Sequence, residues 1–273
     1  MNDVELAITL AALGASVVRE CFGSKLQRYD KGAGDFATNA DVAAENAMLE
    51  MLRRERPDDA VLAEESGATG VRGGRMWLID PLCGTLNYAA KMRLVAVNVA
   101  LKTGDRFAAA AVADAFSDDI FWTDGAASFV RNGTIDKRLA PDPKSKLVDL
   151  NFDPPFPSAP AFRTPMLAVD PDFCSMFRTR VVSTSLALTW VATGQRAGYV
   201  TDGDLRDSVH AAAGLAICQN AGCILTDLRG EAWGKEPTGL VAAADAETHA
   251  TLLTLIRKQG ATDFTDYTDK KTW

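Results

Sequence analysis

A chain of 273 residues with 47% hydrophobic and 24% charged side chains has the balance of an ordinary globular protein, which excludes a disordered, collagen-like or disulfide-stapled chain. The charge sum of −7, from 29 basic and 36 acidic side chains, excludes a broad footprint on nucleic acid and leaves room only for a local site for small anions. The opening MNDVELAIT has no basic leader region and no stretch approaches the ~20 apolar residues of a membrane span, so the expectation is a cytoplasmic chain with no membrane and no nucleic-acid partner.

Val4, Ile8, Ala11, Ala15, Val18 and Phe22 recur at helical spacing between Asp3 and Gly23, which predicts an opening amphipathic helix. A second helix is expected over roughly 39–56, because Thr38 and Asp41 have capping-box spacing and Pro57 supplies a stop. Ala60–Glu64 and Met76–Asp80 are short apolar runs that each end in acid, the pattern of buried strands delivering carboxylates at their ends. Val95–Leu101, Phe107–Val112, Ile120–Thr123 and Ser128–Val130 follow with turns between them, and Asn132-Gly133 is a hairpin signal, so a mostly antiparallel sheet is predicted. A proline-rich stretch over 141–165 places a boundary near 140 between an N-terminal lobe, 1–140, and a C-terminal lobe, 141–273. Strands are expected there at Leu147–Phe152, Val181–Ser183, Gly198–Thr201, Cys223–Asp227 and Leu240–Ala243, and helices at 185–194, 209–221 and 245–259.

The acids at element ends carry the chemistry. Asp41 lies early in the second helix, Glu64 and Glu65 follow one strand, and Asp80 closes the next and runs into Pro-Leu-Cys-Gly-Thr. Pro81 and Gly84 force a tight turn there and Thr85 opens a helix. Such a turn can hold a hard cation on carboxylates and a backbone carbonyl while aiming N–H groups at a phosphate. Five cysteines, with no C-x-x-C spacing, suggest neither a disulfide framework nor a zinc ribbon. Of these, Cys21, Cys218 and Cys223 read as packing residues, Cys174 falls in an irregular stretch, and His249 reads as a surface residue of the last helix.

These blocks resemble the inositol monophosphatase family, the metal-dependent, lithium-sensitive phosphatases that also include fructose bisphosphatases and nucleotide phosphatases. GDFATNADVAAE (34–45) is similar to the family's D-x-V-T-x-x-D-x-x-x-E, LAEESG (62–67) to its G-E-E-S, and WLIDPLCGTLNYAAKMRLVAVNVAL (77–101) to W-I-D-P-L-D-G-T-x-N-F with the next strand. STSLALTWVATGQ (183–195) and VHAAAGLAICQNAGCILTDLRG (209–230) form a weaker fourth block. The resemblance implies an α/β fold, a five-layered α-β-α-β-α sandwich, in a homodimer with magnesium between the lobes. It assigns Glu64, Asp80 and the Leu82 carbonyl to the first metal, and Asp41 and Thr85 to the attacking water. Gly84 and Thr85 N–H groups become a phosphate cradle, and Lys31 borders the site. The implied reaction is in-line phosphoryl transfer on a small sugar, polyol or nucleotide phosphate.

Two departures fall on one metal site. Cys83 stands where the family's second aspartate belongs, and Val209-His210 occupies the place of its W-D pair. Thiolate and imidazole favour softer ions than Mg2+, so the second site is expected to be weak for Mg2+, and either to take a softer divalent ion or to stay empty. Three readings remain: a scaffold that binds a phosphorylated ligand without turnover, a phosphatase working with one Mg2+ or a softer second ion, and a repurposed enzyme. In the last, Cys83 is nucleophile and His210 its base, with a depressed thiol pKa. Only two of the 273 residues are histidine, and one replaces a ligand beside the new cysteine. Substrate contacts are expected from Thr184 and Ser185, in place of the family's G-S, and from an acid near Gly203, with Asp202, Asp204 and Asp207 as candidates.

Overall fold

Asn2 caps the first helix, α1 (Asp3–Cys21), by accepting the Glu5 N–H. A computed structural model describes the chain over residues 1–32, 35–70, 74–152, 164–203, 205, 207–233 and 239–260. After α1 come β1 (Arg28–Gly32), β2 (Asp35–Thr38), α2 (Asn39–Glu55), β3 (Ala60–Ala63), β4 (Gly67–Thr69), β5 (Arg75–Cys83) and α3 (Thr85–Ala89). A meander follows: β6 (Ala96–Thr103), β7 (Arg106–Asp114), β8 (Asp119–Thr123), β9 (Ser128–Asn132) and β10 (Ile135–Arg138). The remainder is β11 (Leu147–Asn151), α4 (Thr164–Val169), α5 (Pro171–Met176), β12 (Arg178–Val181), α6 (Leu186–Ala192), β13 (Gly198–Thr201), α7 (Val209–Ala221), β14 (Ile224–Thr226), β15 (Leu240–Ala243) and α8 (Ala246–Gly260). Among the described residues, no helix is long and apolar enough to cross a membrane.

Period-two alternation along the strands sorts these elements into layers. In the eight-stranded sheet, ordered β10-β9-β8-β7-β6-β5-β3-β4, Trp77, Ile79, Val97, Val99, Ala109 and Ala111 pack with Leu6, Leu10, Met48 and Leu52 of α1 and α2. The intervening residues Leu78, Ala96, Ala100, Ala110 and Val112 face the other way, onto Leu188 and Val191 of α6 and Leu215 and Ile217 of α7. The five-stranded sheet, β12-β11-β13-β15-β14, turns Tyr199, Leu240 and Ala242 toward that same helical layer. Its opposite face, through Val148, Leu150, Val200 and Val241, meets Leu167, Phe173, Leu252 and Ile256 of α4, α5 and α8. The result is the expected α-β-α-β-α sandwich. Its middle layer is tight: a Cβ on Gly214 of α7 would meet Leu188 Cβ of α6 at 2.9 Å.

Two pairings place the acids. Strands β3 and β5 are parallel with Ala63 opposite Ile79, so Glu64 and Asp80, one residue further on, emerge side by side. The β5–β6 ladder is antiparallel with Asp80 opposite Asn98, and its register shifts between Asp80 and Cys83, leaving Pro81 and Leu82 in a bulge that turns the chain toward α3.

Some expectations need correction. The strand expected at Val181–Ser183 lies at Arg178–Val181, because the chain leaves the sheet at Val182 to enter α6. Cys174 is helical, in α5, whose start is fixed by the Asp170 cap and Pro171. His249 is not a free surface residue: it is half-buried, with Nε2 2.8 Å from Thr226 Oγ1. The β1–β2 hairpin has no apolar alternation, every residue of β1 being exposed, and hydrophobic patterning passes over it.

Candidate active site

Asp41 has two duties. It closes the capping box of α2, accepting the Thr38 backbone N–H at 2.9 Å on Oδ2, which the Thr38 hydroxyl also meets. Its other oxygen, Oδ1, accepts the Thr85 hydroxyl at 3.1 Å. Burial pushes the Asp41 carboxyl above the usual range, opposed by these hydrogen bonds. Thr85 Oγ1 also lies 3.2 Å from the Leu82 carbonyl, so the hydroxyl stands between the expected water-activating acid and an expected metal ligand.

Glu64 sits beyond β3, with its N–H donated to the Ile79 carbonyl at 3.0 Å. Lys31 of β1 donates to Glu64 Oε1 at 2.9 Å and to Glu65 Oε1 at 2.8 Å. These two carboxylates outweigh partial burial and hold the Lys31 ammonium above its ordinary pKa. The remaining Glu64 oxygen, Oε2, is buried with no hydrogen-bond partner. Burial, and then the Asp80 charge, push the Glu64 carboxyl up to about 9.

Asp80 is fully buried. Its Oδ1 accepts the Leu82 N–H at 3.0 Å, and its Oδ2 accepts Asn98 Nδ2 at 3.1 Å and His210 Nδ1 at 2.8 Å. Burial alone would raise the Asp80 carboxyl; the His210 imidazolium and these hydrogen bonds bring it below the usual range. Partial desolvation opposes charge on His210, whose side chain is 54% exposed, but Asp80 outweighs it and lifts the imidazole to about 9. His210 reaches Asp80 from the first turn of α7.

Around the turn, Gly84 has φ of 104°, and a Cβ there would meet the Leu94 carbonyl at 3.0 Å and the Ser183 carbonyl at 3.3 Å, so only glycine fits. Asn87 fixes the same two carbonyls, donating to Leu94 O at 3.0 Å and Ser183 O at 2.9 Å. Ser185 is turned inward: its hydroxyl donates to Asn98 Oδ1 at 2.7 Å and its N–H to Cys83 Sγ at 3.2 Å. Thr184 is buried beside it. Asp202 is also buried and accepts the Thr164 N–H, Asp207 pairs with Lys102 at 2.7 Å, and Asp204 lies outside the described residues.

Cys83 and His210 do come together. Their ligand atoms and an Asp80 oxygen all lie within 4.8 Å of one another. The expected nucleophile–base hydrogen bond is not what forms, however, since the imidazole bonds Asp80 and the thiol bonds the Ser185 N–H. Nor is the thiol pKa depressed: burial, and then the Asp80 charge, raise it well above its ordinary value.

Two donor sets are thus distinguishable. Glu64 Oε2 is buried with no hydrogen-bond partner, beside a second carboxylate and 4.0 Å from His210 Nδ1, and with Asp80 and the Leu82 carbonyl it offers only oxygen, as Mg2+ prefers. Asp80, Cys83 and His210 offer oxygen, sulfur and nitrogen, a set that does not fit Mg2+. Glu45 and Asn98 complete the site and were not singled out from the sequence. Glu45 accepts the N–H groups of Glu65 and Ser66, each at 2.8 Å, so α2 holds the end of β3 in place. An asparagine in the apolar run VAVNVAL was the available signal for Asn98.

A five-layered sandwich whose strand ends gather these acids below a glycine turn defines a phosphatase-type scaffold. The chain belongs to the inositol monophosphatase family, whose model matches residues 2–261. It is 31% identical to the Nus factor SuhB of Pasteurella multocida over 89% of this chain and 92% of that protein. To the inositol-1-monophosphatase of Caulobacter vibrioides it is 32% identical over 75% of this chain and 80% of that one. The crystal structure of the extragenic suppressor protein SuhB from Bartonella henselae superposes with a TM-score of 0.81 at 22% identity, covering 93% of this chain and 98% of that one.

Proposed function

We propose that this protein is a metal-dependent phosphomonoesterase acting on a small sugar, polyol or nucleotide phosphate. The observation that carries the reading is the pair of buried carboxylates, Glu64 with Oε2 free of any hydrogen-bond partner and Asp80 beside it, next to the Asp41–Thr85 pair. Glu64, Asp80 and the Leu82 carbonyl would hold a divalent cation, which would supply charge neutralisation for the phosphoryl group and a lowered pKa for water. Asp41, made more basic by burial, orients Thr85, and Thr85 orients the attacking water and relays its proton toward Asp41. The backbone at Gly84 and Thr85 receives the phosphate, and Lys31 balances the acids at its edge. Water oxygen bonds phosphorus, the ester P–O bond breaks, and the leaving oxygen is protonated from solvent.

Release of inorganic phosphate from a panel of inositol, sugar and nucleotide monophosphates, with Mg2+ and other divalent ions, tests this reading. Turnover of at least one member, lost in Asp80→Asn, is the expected result. A folded protein that binds such a ligand, measured by calorimetry, and leaves it unhydrolysed would establish the non-catalytic reading instead. Activity that survives chelation but not Cys83→Ala would establish the nucleophile–base reading.

A further inference from the structure

We propose that Asp80, Cys83 and His210 form a binding site for one soft divalent ion, with zinc as the type, beside the all-oxygen site of Glu64 and the Leu82 carbonyl. The proposal takes its location from the phosphatase reading but is tested by binding alone, so either can fail without the other.

The donor set is the first ground. Zinc takes cysteine sulfur at ~2.3 Å, histidine nitrogen at ~2.0–2.1 Å and carboxylate oxygen at ~2.0–2.2 Å, and three protein ligands with one open position are typical of its catalytic sites. The three donor atoms here already lie within 4.8 Å of one another, so closing around such an ion takes small side-chain movements. His210 can make them, since its side chain is 54% exposed at the start of α7, while Asp80 is fixed in the core.

The surroundings are the second ground. Asn98 holds Asp80 Oδ2, and the Ser185 hydroxyl holds Asn98. The Ser185 backbone N–H points at Cys83 Sγ, the contact that supports a sulfur ligand. Carboxylate and thiol therefore both have the outer partner that orients metal ligands, and both partners trace to one residue at the start of α6. The imidazole N–H is bonded to Asp80 Oδ2, and ion binding replaces that proton. Asp80 then belongs to both sites, bridging a hard ion and a soft one.

The test uses the full chain, stripped by a chelator and titrated with Co2+ alone, because a thiolate–cobalt bond gives an intense near-ultraviolet charge-transfer band that oxygen and nitrogen ligands do not. The expected result is one such band, reached at one ion per chain, absent in both Cys83→Ala and Cys83→Ser. His210→Ala should weaken Co2+ at least ~tenfold. Zn2+ should displace the cobalt and Mg2+ should not, and the double variant Cys83→Asp with His210→Asp should lose the band and bind Zn2+ more weakly than the unaltered chain. Iodoacetamide labelling of the unaltered chain, mapped to Cys83, should be blocked by Zn2+, which keeps the test decisive if a variant does not fold. Absence of the band, a band surviving both Cys83 variants, displacement by Mg2+ as readily as by Zn2+, or labelling of Cys83 unaffected by Zn2+ overturns the proposal.

Discussion

At Gly84 the turn after β5 has no space for a methyl group and a φ of 104° that L-residues avoid. Gly84→Ala is expected to cost about 1–2 kcal/mol in backbone conformation alone and to displace the turn. Phosphate release should fall ~10- to 100-fold, as for other small misplacements of reacting groups, with circular dichroism unchanged. Glu45 invites a different measurement. Removing its carboxylate leaves two N–H groups without acceptors beside Glu64, at about 1–3 kcal/mol each. Glu45→Ala should therefore lower the thermal midpoint by roughly 5–15 °C and weaken Mg2+ binding as Glu64 loses its anchor. Failure of both readouts to move would mean that Glu45 does not position the strand end.

At the scale of elements, the joint between α1, α2 and β5 is held by charge. Asp3 accepts Arg56 and Arg75, and Asp59 accepts Arg75 and the buried Trp77 indole. Arg75 draws the Asp3 carboxyl below its ordinary pKa despite partial burial. For Asp59, burial opposes ionisation but is outweighed by Arg75 and Trp77, so it too is lowered. Acids with lowered folded-state pKa values stabilise the fold above the ordinary aspartate pKa of ~3.9 and lose that contribution as pH falls through their folded values. Urea denaturation at pH 7 and pH 3 should show this loss, reduced in Asp3→Asn. The Asp3 share is about 0.5–1 kcal/mol, given exposure and screening. Asp59→Ala should cost more at pH 7, about 1–3 kcal/mol, because it leaves the Trp77 N–H unpaired.

The same scale shows what the sequence could carry. The Thr38–Asp41 box, Pro57, and the apolar runs ending at Glu64 and Asp80 predicted α2, β3 and β5 because each is locally determined: a cap, a stop, a buried strand. β1 was hidden because an exposed strand needs no apolar face, and β2 because only its last two residues, Ala37 and Thr38, are buried. α5 was hidden because the prolines around it read as punctuation, whereas Pro171 starts the helix. At the site, identities of acids were readable, but partners were not. That Ser185 faces Asn98 and Cys83, and that His210 bonds Asp80 rather than Cys83, depends on how α6 and α7 dock on β5 and β6, which no local spacing encodes.

For the molecule as a whole, the two sheets share one helical layer, and Gly214 sets its thickness. Gly214→Val would place carbon where Leu188 already sits and should destabilise the fold by about 1–3 kcal/mol, read by denaturant midpoint. Because α6 carries Ser185 and α7 carries His210, the variant should also lose activity more steeply than stability. Equal effects would mean that the layer holds the core without positioning the site. The Asn87 bond to the Ser183 carbonyl ties α3 to the segment that enters α6.

The sequence separation of 130 between Asp80 and His210 also imposes an order in time. A growing chain presents Glu64, Asp80 and Cys83 long before its imidazole has been synthesised. The contacts from Ser185, 87 residues beyond Asn98 and 102 beyond Cys83, come equally late. An ion captured early meets carboxylates and an unsupported thiol; one captured after docking meets the complete set. For the proposed sites, refolding in the presence of competing ions is therefore expected to yield different occupancies from adding the ions afterwards, measured by metal analysis of the folded protein.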